Sequence, residues 1–232
     1  MKSDNVNNIF FYIRRLSRIH RFSQRITVFG QSVAEHCFNS AMYALIFNEK
    51  IRQFIDEYDV HICINERELI EIALCHDLEE SFTGDIISPV KNCFNSEYNK
   101  ISDSVMKNMY HFYDHIINLH KIYARKQNLE SSIVKLCDLL DAYLFCSEQI
   151  TCGNLHFEDL KKTFYSLYND TSHDIKETFK LKLNTFEDKD KQVRQFNDLD
   201  NIFNLNLISS TYKDILDRNH DTINELFDEK EE

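Results

Sequence analysis

The chain has 232 residues but only three glycines and one proline, and this scarcity of backbone punctuation limits the fold more than any other feature. Strand-rich sandwiches and barrels need frequent tight turns, which draw on glycine for positive φ and on proline for a fixed φ. A chain poor in both, and rich in Leu, Ile, Phe and Tyr, is suited to long helices joined at few sharp corners. The expectation is an all-α protein of one domain, at most two, large enough to bury a real core.

Periodicity predicts about six to eight helical segments and no repeat. Residues near 4–22 set Ile9, Ile13, Leu16 and His20 on one face, with arginines on the flank. A second helix should start near Ser32 and run through His36, Met42 and Leu45 toward Ile55. Asn65 with Glu68 resembles a capping start for a helix reaching His76-Asp77. Two long helices are expected over 97–125 and 130–150, the second turning Ile133, Leu136, Leu140, Tyr143 and Leu144 inward and stopping at Gly153. Segments 156–182 and roughly 207–228 read as amphipathic, with a polar and mobile connection over 187–200.

Charge and cysteines narrow the function. A net charge of −11 opposes binding of a long polyanion, which needs a basic footprint. The cationic exception is local: Arg14, Arg15, Arg18, Arg21 and Arg25 crowd one early segment, enough for one small phosphate-bearing ligand. Seven cysteines, an odd number without CxxC spacing, argue against a disulfide framework and for a reducing cytoplasm. The first thirty residues hold neither a signal-peptide apolar run nor a membrane span, so no membrane partner is expected.

The residues able to carry chemistry are His36, His76, Asp77 and Asp138, in the order H…HD…D. Imidazole and carboxylate suit a borderline or hard divalent cation, and two of each leave positions open for water and a substrate oxygen. Taken singly each is weak: a lone histidine on a helix is usually a satisfied core or surface group. Asp138 carries more weight, because it lies between Leu136, Cys137, Leu139 and Leu140, where an uncompensated carboxylate is costly. Glu80 follows Asp77 by three residues, which returns its carboxyl to the same helical face. The loop from Ser81 to Pro89, with Gly84, breaks the backbone just past that helix and is a good place for ligand contacts.

These stretches carry a family resemblance. Arg21-Phe22 followed by Val33-Ala34-Glu35-His36, His76-Asp77-Leu78-Glu79-Glu80, Thr83-Gly84-Asp85 with Pro89-Val90-Lys91, and Val134-Lys135-Leu136-Cys137-Asp138 with Ala142-Tyr143-Leu144 together resemble the bacterial 5′-deoxynucleotidases among HD-domain phosphohydrolases. The likeness spans about residues 10–155. It implies a helical HD bundle. The segment after 155, especially 185–232, has no clear counterpart in the family, and the chain is expected to divide into a domain over 1–184 and an additional C-terminal helical extension over 185–232 packed on or flanking it. The likeness further implies one divalent transition metal such as Co2+ or Mn2+, a deoxynucleotide substrate and a homodimer. By the same resemblance His36, His76, Asp77 and Asp138 hold the metal, Glu80 is the catalytic acid/base, Arg21 contacts the phosphate, and Asp85 with Ser88 meets the nucleoside. Two positions depart from the pattern: Phe22 stands where the family has tryptophan, a position credited with orienting the phosphate and favouring deoxyribose, and Ile87 where proline is usual.

Three rival readings stay open at this level. The arginine cluster also suits a deoxynucleoside triphosphate triphosphohydrolase of the same superfamily. His111 and His115, four apart on an expected helix with His120 nearby, could hold a second metal. A non-catalytic nucleotide-binding protein, with Tyr110, Phe112, Tyr113 and Ile117 or the C-terminal helix as a dimer surface, is the third.

Overall fold

The computed structural model describes residues 3–111, 113–183 and 189–215, and residues 1–2, 184–188 and 216–232, together with Phe112, lie outside it. It consists of α-helices with no strand among the described residues. They are α1 (Ser3–Arg15), α2 (Val33–Tyr58), α3 (Glu66–Cys75), α4 (Glu80–Thr83), α5 (Ser88–Cys93), α6 (Asn95–Met109), α7 (Asp114–Ala124), α8 (Leu129–Thr151), α9 (Glu158–Lys180) and α10 (Lys189–Ile202). No helix among them is long and apolar enough to cross a membrane. The seven cysteines are all free, in line with the absence of a disulfide framework.

Helix α8 is the axis of the larger compact unit, residues 1–183. Its buried residues include Ile133, Val134, Leu136, Cys137, Leu139, Leu140, Ala142, Tyr143, Leu144, Phe145 and Cys146, consecutive enough to cover every side of a 3.6-residue turn. A helix apolar all round belongs inside, and α2, α3, α7 and α9 pack around it. Asn128 starts it by accepting from the Ser131 N–H in a capping box, and Gly153 ends it at φ 88°, a conformation that disfavours any side chain. The start of α2 is equally local: the Ser32 hydroxyl accepts from Glu35 N–H while Glu35 accepts from Ser32 N–H. Asn65 caps α3 through Glu68 N–H, as its sequence suggested.

Four expectations change. The first helix ends at Arg15, not near 22; a 3-10 turn over Leu16–Arg18 follows, and the chain doubles back so that His20 bridges Ser32. No glycine or proline marks this break. Its cause is tertiary, since Arg21 and Phe22 turn into the interior rather than continuing a helix. The segment 97–125 is two helices, α6 and α7, separated at 110–113 where Tyr110 is fully buried. Tyr110, Tyr113 and Ile117 pack with Ile9, Leu16, Val33, Cys37, Leu78 and Met106, so they are core and not an exposed dimer stripe. Phe112 lies outside the described residues.

The polar connection over 187–200 is largely helix α10, not a mobile linker. Its charged residues hid a spacing of four and three at Gln195, Leu199 and Ile202, which are its buried positions. Together with a helical stretch over 205–215, α10 belongs to a second compact unit, residues 184–232. The remainder of the expected 207–228 helix falls outside the described residues.

The α2 capping box generates a stability prediction with a defined sign. Hydrogen bonds from the Ser32 backbone and hydroxyl hold Glu35 below its ordinary value of 4.5. The stabilisation is therefore present above that value and lost as pH falls through the lowered one. Ser32→Ala should cost about 1 kcal/mol by urea denaturation at pH 7. The gap between the native protein and Glu35→Gln should narrow as the titration is repeated at progressively lower pH.

Candidate metal centre

The polar interior is assembled where α2, the end of α3 and the middle of α8 meet. His36 lies one turn into α2 and is fully buried. His76 is the C-cap of α3, and the chain leaves it through successive tight turns (Leu78 N–H to Cys75 O, Glu80 N–H to Asp77 O, Ser81 N–H to Leu78 O). The helix thus stops at Cys75, before the HD pair, and the turns keep Glu80 one step from Asp77 as a continued helix would have done. Asp138 projects from the centre of α8.

Four donor atoms converge. His36 Nε2 is 3.2 Å from His76 Nε2, 3.2 Å from Asp138 Oδ1 and 3.6 Å from Asp77 Oδ2, and His76 Nε2 is 3.2 Å from Asp77 Oδ2. Donors bound to one cation at about 2.0–2.2 Å stand roughly 3.0–3.5 Å apart, so these separations are those of one coordination sphere. The outer nitrogens are already engaged: His36 Nδ1 lies 2.6 Å from Asp141 Oδ2, and His76 Nδ1 lies 2.8 Å from the Ala73 carbonyl. His76 Nδ1, facing only a carbonyl, donates outward and turns its Nε2 lone pair toward the centre. His36 Nδ1 meets both the Asp141 carboxylate and, at 2.5 Å, Arg21 Nη1, and donation to the carboxylate turns its Nε2 the same way. Two lone pairs facing each other beside two carboxylates repel unless positive charge lies among them. That demand shows in His76, where burial opposes charge but Asp77 and Asp138 offset it and lift the imidazole to about 9. The buried donor set fits a divalent metal, and His36, His76 and Asp138 offer ligand atoms within 4.8 Å of one another. Cys37 joins His76 and Asp77 in an alternative trio, but burial pushes its thiol well up, away from the thiolate a metal requires.

The carboxylates are heavily compensated. Against the cost of burial, Lys135, His36 and Arg21 hold Asp138 well below the usual carboxylate range. Lys135 Nζ reaches its Oδ2 at 2.6 Å and the Tyr123 hydroxyl donates to the same oxygen at 2.9 Å. Asp77 is likewise held low, by His76, Lys91 and His36. Glu80 is different. Burial and the charge of Asp77 push it well above the carboxylate range, with Lys91 at 2.7 Å pulling the other way.

Of the five clustered arginines, Arg21 alone turns to this centre, with Nη2 3.6 Å from Asp138 and Nη1 3.3 Å from Asp141. Arg14 and Arg18 are exposed, Arg15 lies over the Phe11 ring, and Arg25 donates to the His156 carbonyl. Phe22 adopts a left-handed φ of 56° and stacks on Phe145 at 5.1 Å, with Phe157 and Phe164 edge-on. Its N–H donates to Asp85 Oδ2 at 3.0 Å, so Asp85 ties the loop after α4 to the Arg21-Phe22 turn. Ser88 begins α5, and its side chain lies outside the described set.

The histidine pair considered for a second metal is not one unit. His111 sits in the break between α6 and α7, while the exposed His115, on α7, pairs with Glu71 at 2.7 Å. His120 is buried and bonded to Glu79, which also accepts from the Tyr98 hydroxyl. Sequence reasoning missed Asp141, Gln31, Asn39, Tyr123, Lys135 and the pairing of Lys91 with Glu80. Asp141 alone had a findable signal, as a second acid three residues after Asp138 on an otherwise apolar helix.

An all-α fold with two histidines, an adjacent aspartate and a distant aspartate closing on one point is that of the HD-domain phosphohydrolases. An HD-domain phosphohydrolase from Listeria innocua superposes with a TM-score of 0.58 at 22% identity, covering 74% of this chain and 80% of that one. The cyanophage S-2L HD phosphohydrolase, solved with dA and one catalytic Zn2+, superposes at 0.54 with 19% identity, covering 88% and 96%. Within that class the chain belongs to the YfbR-like 5′-deoxynucleotidase family, whose model matches residues 8–189. The 5′-deoxynucleotidase of Klebsiella pneumoniae (strain 342) is 32% identical over 164 residues, 65% of this chain and 77% of that protein. The family match reaches beyond residue 155, where the legible motifs stopped.

The Asp85–Phe22 tie is directly testable. Asp85→Ala should lower stability by about 1 kcal/mol in urea denaturation, the usual net worth of such a bond. Asp85→Asn, which keeps an accepting oxygen, should lie near the native protein.

Proposed function

We propose that this protein is a metal-dependent phosphohydrolase that removes the 5′-phosphate from deoxynucleoside monophosphates. The observation that carries the reading is the convergence of His36, His76, Asp77 and Asp138 directly beside a buried arginine. Family membership and the deoxynucleotidase relatives support it. In this reading residues 1–184 are the catalytic domain and 185–232 an accessory extension, the enzyme is a homodimer, as the family resemblance implies, and its odd set of cysteines suits a reducing cytoplasm.

His36, His76, Asp77 and Asp138 would hold the divalent metal, Co2+ or Mn2+ by the family resemblance. When bound it supplies Lewis-acid polarisation of a phosphoryl oxygen and an acidified water. The chain's own groups do the rest. Arg21, fixed between Asp138 and Asp141, presents its guanidinium to phosphate oxygens and offsets charge that grows as the ester bond breaks. Glu80, whose burial favours the protonated carboxyl, gives a proton to the departing 5′ oxygen and is held in place by Lys91. The Phe22 ring and the Asp85–Ser88 loop form the nucleoside side.

A monophosphate is preferred over a triphosphate for a specific reason. A polyphosphate needs several cations along its length; Arg15 lies over Phe11, Arg25 is bonded to the His156 carbonyl, and Arg14 and Arg18 are exposed, with none of the four in contact with the four converging residues. A purely binding role leaves a buried, proton-retaining Glu80 beside the ligand set without a use.

Incubation with dAMP, AMP and dATP in Co2+ or Mn2+ should release orthophosphate from dAMP and no tripolyphosphate from dATP; tripolyphosphate as the product would overturn the monophosphatase assignment. With no indole N–H at Phe22, the dAMP to AMP preference in kcat/KM should not exceed about 100-fold, the range an apolar wall provides against an added hydroxyl. Glu80→Gln should bind Co2+ like the native protein and lose about 10²–10⁴-fold in kcat; near-native turnover would remove Glu80 from the mechanism.

A further inference from the structure

Asp141 is the most heavily hydrogen-bonded carboxylate in the interior, yet it is not one of the four converging ligands. Its side chain is 3% exposed. Oδ2 faces His36 Nδ1 at 2.6 Å, Gln31 Nε2 at 2.8 Å and Arg21 Nη1 at 3.3 Å, while Oδ1 accepts from Asn39 Nδ2 at 2.9 Å. These donors come from three places: the turn at Arg21, Gln31 just before the bridge at Ser32, and two successive turns of α2. A single oxygen thus meets a group on each side of the centre, the imidazole among the metal-facing donors and the guanidinium beside them.

The geometry points to Asp141 as a positioning residue that sets His36 and Arg21 in register, acting through both without touching metal or substrate. On the metal side, the Asp141 carboxylate at Nδ1 favours the tautomer with Nε2 free over the one in which Nδ1 accepts from Arg21 Nη1, 2.5 Å away, and stops the ring from rotating about its χ2 axis. On the phosphate side, the Arg21 guanidinium lies between Asp138 and Asp141, one turn apart on α8, and the second carboxylate keeps it from folding fully onto Asp138. Gln31 and Asn39 complete the oxygens' partners, so the carboxylate itself cannot turn. Loss of this one group therefore disturbs two functions that other residues perform, which distinguishes it from a ligand or from a simple core acid.

The inference rests on the proposed metal-dependent hydrolysis, and its test separates the two. Asp141→Asn keeps the shape but removes the charge and sets an amide N–H2 against one of four donors. In a competition titration of Co2+ against a chromophoric chelator, full-length Asp141→Asn should bind about 10–100-fold more weakly than the native chain, the usual effect of losing a partner behind a metal-bound histidine. At saturating Co2+ its KM for dAMP should rise as well, because Arg21 has lost its second anchor. Asn48→Ala serves as the control, since Asn48 is a buried partner of Glu66 outside the site; it should lower Tm and leave Co2+ affinity unchanged.

If Asp141→Asn lowers Tm but binds Co2+ as the native protein does, Asp141 is merely structural and the inference is overturned. Should that variant fail to fold, Asn39→Ala takes its place. It keeps the charge and frees Oδ1, so the expected result is a several-fold loss of Co2+ affinity, and native affinity overturns the inference. A native protein that binds no divalent metal and releases no phosphate brings down the functional reading itself, whatever the variants do.

Discussion

The rest of this structure depends on the placement of two carboxylates, Asp138 and Asp141, on the most deeply buried helix of the molecule. Ionised acids in an apolar interior are costly unless each oxygen is paired, and the other buried residues of α8 between Ile133 and Cys146 are Leu, Ile, Val, Phe, Tyr, Cys and Ala. Several neighbouring elements are arranged to meet that requirement. The turn after α1 brings in Arg21, the bridge to Ser32 brings in Gln31, α2 supplies His36 and Asn39, α7 supplies Tyr123, and α8 itself adds Lys135. The early chain abandons its helix at Arg15 because these acids need its arginine inside.

This arrangement also separates the tasks of acids that are close in space. Asp77 and Asp138 face positive groups and are held ionised, while Glu80, buried beside the negative Asp77, is pushed the other way. Carboxylates whose surroundings drive their proton affinities apart can act as ligand and acid within one site. Lys91 limits the separation: by pairing with Glu80 at 2.7 Å it fixes the carboxyl's position while opposing its protonation.

What was legible in the sequence was what is decided locally. The starts of α2 and α3 lie in the side chains of Ser32, Glu35 and Asn65, and the end of α8 lies in Gly153. The inward face of α8 follows from periodicity, and the four converging residues follow from their types and order. What was not legible was decided at a distance. The break after Arg15, the split of 97–125 around the buried Tyr110, and the four partners of Asp141 each answer to residues distant in sequence, up to 120 positions in the case of Arg21 and Asp141. Helix α10 is a different case: its signal was present at Gln195, Leu199 and Ile202, and its charged composition obscured it.

The two departures from the family pattern can be understood in the same terms. Ile87 occupies a backbone with φ −60° and ψ 142° at the start of α5, the φ that proline would fix, so isoleucine adopts the same path and gives up only rigidity in the unfolded chain. Phe22 holds a left-handed φ that a bulky side chain rarely accepts, and two interactions secure it: the N–H bond to Asp85 and the parallel stack on Phe145. Both act on the backbone or on a flat ring face, and phenylalanine supplies a flat face as well as tryptophan does. The Arg21 guanidinium lies 5.4 Å from that ring, close enough for the ring's negative face to help hold it. The substitution therefore leaves the shape of the wall beside Arg21 intact and changes its chemistry by a single hydrogen-bond donor.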